Sequence, residues 1–151
     1  MPAGASHYVT TAEINAAPAV VWSVLTRPSG YAEWNPEIIG VAGPFAPGRR
    51  IKVTVRIANG ATRHLSMKVT AYEPPSRMVW VGGLPLGLFV GSRTLTVSPS
   101  GGRTLFRMEL SMTGPLAPLI LKSLGDRQPD IDAFSAGLKA YAERHNAQSP
   151  A

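Results

Sequence analysis

Four stretches of this 151-residue chain are written in period two, and that alternation limits the fold more than any other feature. Ile51, Val53, Val55 and Ile57 alternate with Lys52, Thr54 and Arg56; Leu65, Met67 and Val69 alternate with Ser66, Lys68 and Thr70. Leu95 and Val97 alternate with Thr94 and Thr96, and Phe106, Met108, Leu110 and Met112 alternate with Arg107, Glu109 and Ser111. Successive side chains of a strand point to opposite faces, so such runs make a sheet with one apolar face and one polar face. The connections "ANG", "EPPSR" and "SPSGGR" carry turn residues, with Asn59-Gly60 as the hairpin signal between the first two runs. An antiparallel meander follows, and its apolar face needs a cover.

The cover is written at the end of the chain. Ile131, Phe134, Leu138 and Tyr141 form one apolar stripe at helical spacing. A helix beginning near Pro129 is expected, with Asp130 and Asp132 at its positive pole and Lys139, Arg144 and His145 toward its negative pole. A shorter apolar piece, Leu116 to Leu124, precedes it and is interrupted by Gly125. At the other end Tyr8 to Ile14 reads as a strand and "APAVVWSVLT" as a helix with Pro18 in its first turn. "YAEW" fits one further helical turn, and "MVWV" a short strand.

The remaining totals exclude several functions. The chain has no cysteine, so disulfides, thiol nucleophiles and thiolate metal sites are out. His7, His64 and His145 are too scattered for a metal triad, so no metal and no cofactor are expected. No Gly-x-Ser-x-Gly elbow is present, and the glycine-rich "VGGLPLGLFVG" matches neither phosphate-binding fingerprint. Within it, residues 82–91 are read either as a mobile lid or as an ordinary strand connection with its leucines packed. No apolar run approaches the roughly 20 residues that span a bilayer, and the N-terminus does not resemble a secretory signal, so a cytoplasmic location is expected. Residues 1–6 and 147–151 are expected to be disordered ends flanking one domain, residues 7–146.

The net charge is +6, with ten basic and two acidic residues between Arg49 and Glu109. Lys52, Arg56, Lys68 and Arg107 share outward parity. Their outward neighbours are threonines and serine rather than stacking aromatics, which argues against nucleic acid. A basic face still suits peripheral contact with an anionic membrane.

Certain local stretches resemble a known family: "INAAPAVVWSVLT", "YAEWNPEI", "YEPPSRMVW", "MTGPLAPLI" and "FSAGLKAYAERH". In this order they are similar to the helix-grip (START-like) domains of the SRPBCC superfamily, close to the polyketide cyclase/dehydrase-like branch. The resemblance covers residues 7 to 146. It implies an α+β fold in which a curved antiparallel sheet of about seven strands wraps a long C-terminal helix. Two short helices would follow the first strand, and a ligand cavity would lie between sheet and C-terminal helix. The ligand would be a hydrophobic small molecule, polyketide-, lipid- or aromatic-like. Two other readings stand beside this one: a cyclase/dehydrase-type enzyme acting on an enolisable carbonyl, and a lipid or quinone carrier docking through the basic sheet face.

Candidate ligand-binding residues are the inward-facing ones, Trp34, Met67, Trp80, Phe106, Met108, Phe134, Leu138 and Tyr141. Two arginines join them by strand parity, Arg63 with Leu65 and Met67, and Arg93 with Leu95 and Val97; the other reading is that these strand-end arginines reach out to solvent with their stems packed on the edge. An arginine aimed at an apolar space needs an anionic or hydrogen-bonding partner, because an unpaired buried charge costs several kcal/mol. The resemblance also sets Arg63 near an arginine that acts on the substrate carbonyl in related aromatase/cyclases.

Overall fold

The computed structural model describes residues 6–57 and 60–148. One seven-stranded antiparallel sheet runs in the order β1-β7-β6-β5-β4-β3-β2. Its strands are β1 (Ser6–Ile14), β2 (Ile38–Ala42), β3 (Arg50–Arg56), β4 (Thr62–Glu73), β5 (Arg77–Leu84), β6 (Phe89–Ser100) and β7 (Arg103–Thr113). The helices are α1 (Pro18–Leu25), α2 (Tyr31–Trp34), α3 (Ala117–Leu124) and α4 (Gln128–Gln148). This is the expected helix-grip arrangement. Of the expected disordered ends, residues 1–5 and 149–151 lie outside the described residues, as does Asn59 of the expected hairpin turn, while Ser6 opens β1 and α4 runs on to Gln148.

The alternation works as read. Ile51, Val53, Val55, Met67, Val69, Leu95, Val97, Phe106, Met108, Leu110 and Met112 are buried, and Lys52, Arg56, Lys68 and Arg107 are exposed on the opposite face. Two register shifts, at Ile38/Gly40 and Val69/Ala71, add the local bends that bulges give a sheet. Of the two readings of residues 82–91, the strand connection holds, with Gly82, Gly83 and Leu84 paired to Gly91, Val90 and Phe89. Only a tight 3₁₀ turn, Pro85–Gly87, and Leu88 separate the two strands. Glycine-rich sequence here serves close strand approach, not a free loop.

α4 lies along β1 and is stitched to it. Thr10 and Ser135 share a hydroxyl hydrogen bond of 2.9 Å, the Gln128 side-chain amide donates to the Val9 carbonyl at 2.9 Å, and Lys139 Nζ donates to the Glu13 carbonyl at 2.8 Å. Phe134 descends from this helix into an aromatic cluster, stacked on Phe106 (5.9 Å) and edge-on to Trp34 (5.2 Å). Gly137 lets the helix come this close, since a Cβ there would stand 2.1 Å from the Trp34 carbonyl oxygen.

Candidate functional site: a cavity beside a buried charge cluster

The stretch from Tyr31 to Ile38 sets up one end of the site. α2 is a single turn held by the Tyr31 hydroxyl, which donates to the Leu25 carbonyl at 2.6 Å. Burial raises the pKa of that hydroxyl far above its ordinary value, so it stays a donor. Asn35 then reverses the chain: its Oδ1 accepts the backbone N–H groups of Glu37 (2.9 Å) and Ile38 (2.8 Å). An asparagine side chain can replace a backbone turn in this way. The turn delivers Glu37, 1% exposed, to the protein interior at the start of β2.

Glu37 meets two arginines there. Arg93 on β6 forms a bidentate pair with it, Nη1 to Oε1 and Nη2 to Oε2, both 2.8 Å. Arg127, just before α4, donates from Nη2 to Glu37 Oε2 at 2.7 Å and from Nη1 to Asp130 Oδ2 at 2.7 Å. Arg93 is 5% and Arg127 2% exposed. The Arg93 guanidinium also lies 5.6 Å from the Phe134 ring centre and 6.0 Å from that of Trp80. Burial alone would push the Glu37 carboxyl up, but Arg93, with Arg127 behind it, holds it below the ordinary glutamate value. Burial likewise works against the Arg93 charge, and Glu37 overcomes it and raises the pKa. At Asp130 burial prevails over the pull of Arg127, and the pKa rises.

Beside this cluster lies a cavity of about 540 Å³. β3, β4, the β5–β6 hairpin and β7 form its walls, and Ile120, Ser123 and Leu124 of α3 form its roof. Buried Ile38, Arg93 and Arg127 mark its closed end, and exposed Arg63, Leu65 and Leu84 mark its mouth. Among the described residues no carboxylate lines it. Each guanidinium has five N–H donors, and the ion pairs to Glu37 and Asp130 use only some of them. The closed end is therefore rich in donors and the walls are mostly apolar.

Three of the sequence-predicted site residues line the cavity, namely Arg63, Met67 and Arg93. Both arginines face inward, as their parity requires: Arg63 pairs with buried Val55, and Arg93 with buried Trp80 and Leu110. Arg63 stays solvent-exposed, its Nη1 donating to the Thr62 carbonyl at 3.1 Å. Trp34, Trp80, Phe106, Met108, Phe134 and Leu138 instead pack the neighbouring core. Tyr141 is half-buried near the surface, with its hydroxyl 3.3 Å from Glu33 Oε1. The cavity accordingly lies under α3 and not under α4, whose Phe134 and Leu138 already fill the groove beneath it.

Sequence reasoning missed Glu37, Arg127 and the α3 roof. Glu37 could have been suspected, since a carboxylate between an Asn-Pro turn and two isoleucines has few ways to stay wet. Arg127 sits among Asp126, Gln128 and Asp130 and reads as solvated; only the fold gives it a buried partner.

Comparison with known proteins bears on the fold and the family. The structure superposes on the ZhuI aromatase/cyclase of a Streptomyces species with a TM-score of 0.74 and 17% identity, covering 93% of this chain and 95% of that one. A START superfamily protein from Mycobacterium smegmatis gives 0.68 and 17%, covering 92% and 98%. A Mesorhizobium loti protein gives 0.71 and 23%, covering 92% and 98%. At such identities the likeness is one of fold. No functionally curated protein matches the chain in sequence. The profile of one family, described as polyketide cyclase/dehydrase and lipid transport, matches residues 6–143. With nearly the whole chain inside that match, the protein belongs to the polyketide cyclase/dehydrase and lipid transport family.

Proposed function

We propose that the protein binds a hydrophobic small molecule in the cavity under α3, with a hydrogen-bond acceptor of that molecule turned toward Arg93 and Arg127. One observation carries this reading: a cavity of about 540 Å³ has apolar walls, spare guanidinium donors at one end and, among the described residues, no carboxylate in its lining. Ligand-sized pockets are typically of this volume and character. Polyketide-, lipid- and aromatic-like compounds with a carbonyl or ester group fit the description.

Native mass spectrometry of the purified protein should reveal a co-purifying apolar compound. A ligand at about a thousand times its dissociation constant should add roughly 4 kcal/mol to stability, or roughly 8–16 °C in Tm. Val53→Phe, which fills the cavity from β3, should abolish that shift. A shift that survives Val53→Phe would move the ligand elsewhere and sink the proposal.

The donors at the closed end favour a second reading, a cyclase/dehydrase-type activity in which Arg93 or Arg127 polarises an enolisable carbonyl. Turnover of a poly-β-ketone analogue separates the two, because a binding protein returns it unchanged.

A further inference from the structure

Five of the six large hydrophobic side chains that stand exposed among the described residues gather at the cavity mouth. Leu65 and Leu84 line the mouth itself, and Leu86 and Leu88 occupy the tip of the β5–β6 hairpin. Leu119 projects from α3 beside the lining residue Ile120. Leu86 is 97% exposed. These leucines sit on a fixed platform, not a loose loop. The Leu116 N–H donates to the Leu88 carbonyl at 3.0 Å, tying the start of α3 to the hairpin tip. The charge around them has one sign: residues 60–67, 82–92 and 114–124 contain Arg63 and Lys122 and no aspartate or glutamate.

An exposed apolar patch of this kind marks an interaction surface. Apolar side chains with cations beside them are what binding to an anionic phospholipid surface requires. The outer sheet face has the cations Lys52, Arg56, Lys68 and Arg107 but, among the described residues, a single exposed large hydrophobic side chain, Leu105, so it offers little of the apolar half. We propose that the mouth rim docks onto an anionic bilayer, with Leu84, Leu86, Leu88 and Leu119 entering the headgroup layer and Arg63 and Lys122 at the phosphates. The docking does not depend on what the cavity holds.

Co-sedimentation with phosphatidylcholine vesicles, with and without phosphatidylglycerol, tests it on the full chain. Binding should require phosphatidylglycerol and weaken as salt rises. Leu86→Asn combined with Leu119→Gln should reduce partitioning by about 10-fold or more, since two leucines leave the membrane. Leu86 has φ 62°, a backbone conformation that asparagine tolerates well, so the variant should keep its melting temperature. Leu105→Gln makes the same chemical change at the one exposed leucine off the rim and should leave binding unchanged. Lys52→Gln with Arg56→Gln should cost less than the rim pair. No sedimentation with anionic vesicles overturns the proposal, as does an equal loss from Leu105→Gln or a larger one from the outer-face pair. Rim variants that shift a monomer–dimer equilibrium and leave vesicle binding unmoved also overturn it, making a second copy the occupant.

Discussion

The concave face of the sheet is divided between two helices, and they treat it differently. α4 lies on β1, and under it Trp34, Phe106, Phe134 and Leu138 fill the space. α3 stands over β3, β4 and the β5–β6 hairpin, and beneath it a cavity remains. Side-chain size accounts for much of the difference. α4 sends a phenylalanine down onto another phenylalanine, whereas α3 offers Ile120, Ser123 and Leu124. α4 is also a 21-residue helix bound to β1 by polar stitches, and α3 has only eight residues. The long helix packs tightly on the sheet, and the short one leaves a space beneath it.

The largest expected effect tests that division directly. Phe134→Ala should destabilise by about 3–5 kcal/mol, the usual loss for a buried phenylalanine. Met67→Ala, in the cavity wall, should cost only about 1–2 kcal/mol, because one side of Met67 already lacks packing partners. Thermal unfolding measures both, and equal losses would mean that the two halves are packed alike.

Glu37→Gln comes next. It leaves Arg93 and Arg127 buried without their shared anion and should cost about 3 kcal/mol or more. Combining it with Arg93→Met should recover part of the loss, since the double variant removes an unpaired charge. Additive losses would show that the pair is not coupled.

A smaller effect should appear in acid. The Glu37 pKa lies below its unfolded value, so its stabilisation is present above the unfolded pKa and is lost as pH falls through the folded one. Wild type should therefore lose stability below about pH 4.3, and Glu37→Gln should show a flatter acid limb. Asp130 works in the opposite direction. Its raised pKa favours the folded state below the unfolded value and loses that contribution as pH rises through the folded one. Parallel acid limbs for wild type and Glu37→Gln would remove Glu37 from the account.

The smallest stability change belongs to Arg63→Met at the exposed mouth, within about 0.5 kcal/mol. Its effect should fall on ligands instead. An acidic ligand should weaken by about 10- to 150-fold as a charge-assisted hydrogen bond is lost, and its neutral analogue should hardly change. Isothermal titration of such a matched pair checks this, and equal losses would return Arg63 to a solvated strand edge.

Much of the packed half was legible in the sequence. Period-two runs from Ile51 to Met112 predicted a one-faced sheet, and the stripe from Ile131 to Tyr141 predicted the helix that covers it. Parity put Arg63 and Arg93 on the inner side but left open whether they reach solvent; Arg93 is buried on Glu37, and Arg63 stays exposed at the mouth. The cavity half was harder to read because it is made of exceptions. Glu37 is placed by an asparagine turn and a bulge, neither of which has a period. Arg127 is placed by the junction of two helices and meets Glu37 across 90 residues of chain. Glycines 82 and 83 read as a loop because strand pairing that needs bare backbone looks locally like disorder.

The cluster of Glu37, Arg93, Arg127 and Asp130 is electrically closed, with two cations and two carboxylates. A neutral carbonyl reaching the spare donors of Arg93 or Arg127 leaves that balance intact. A carboxylate arriving there would leave one negative charge uncompensated in the interior, at a cost of several kcal/mol. Arg63, at the wet end and with no carboxylate partner among the described residues, carries no such restriction. An amphiphile with an acidic head and a neutral acceptor in its tail would thus enter tail first, and the protein would hold it with one fixed polarity, acid toward solvent.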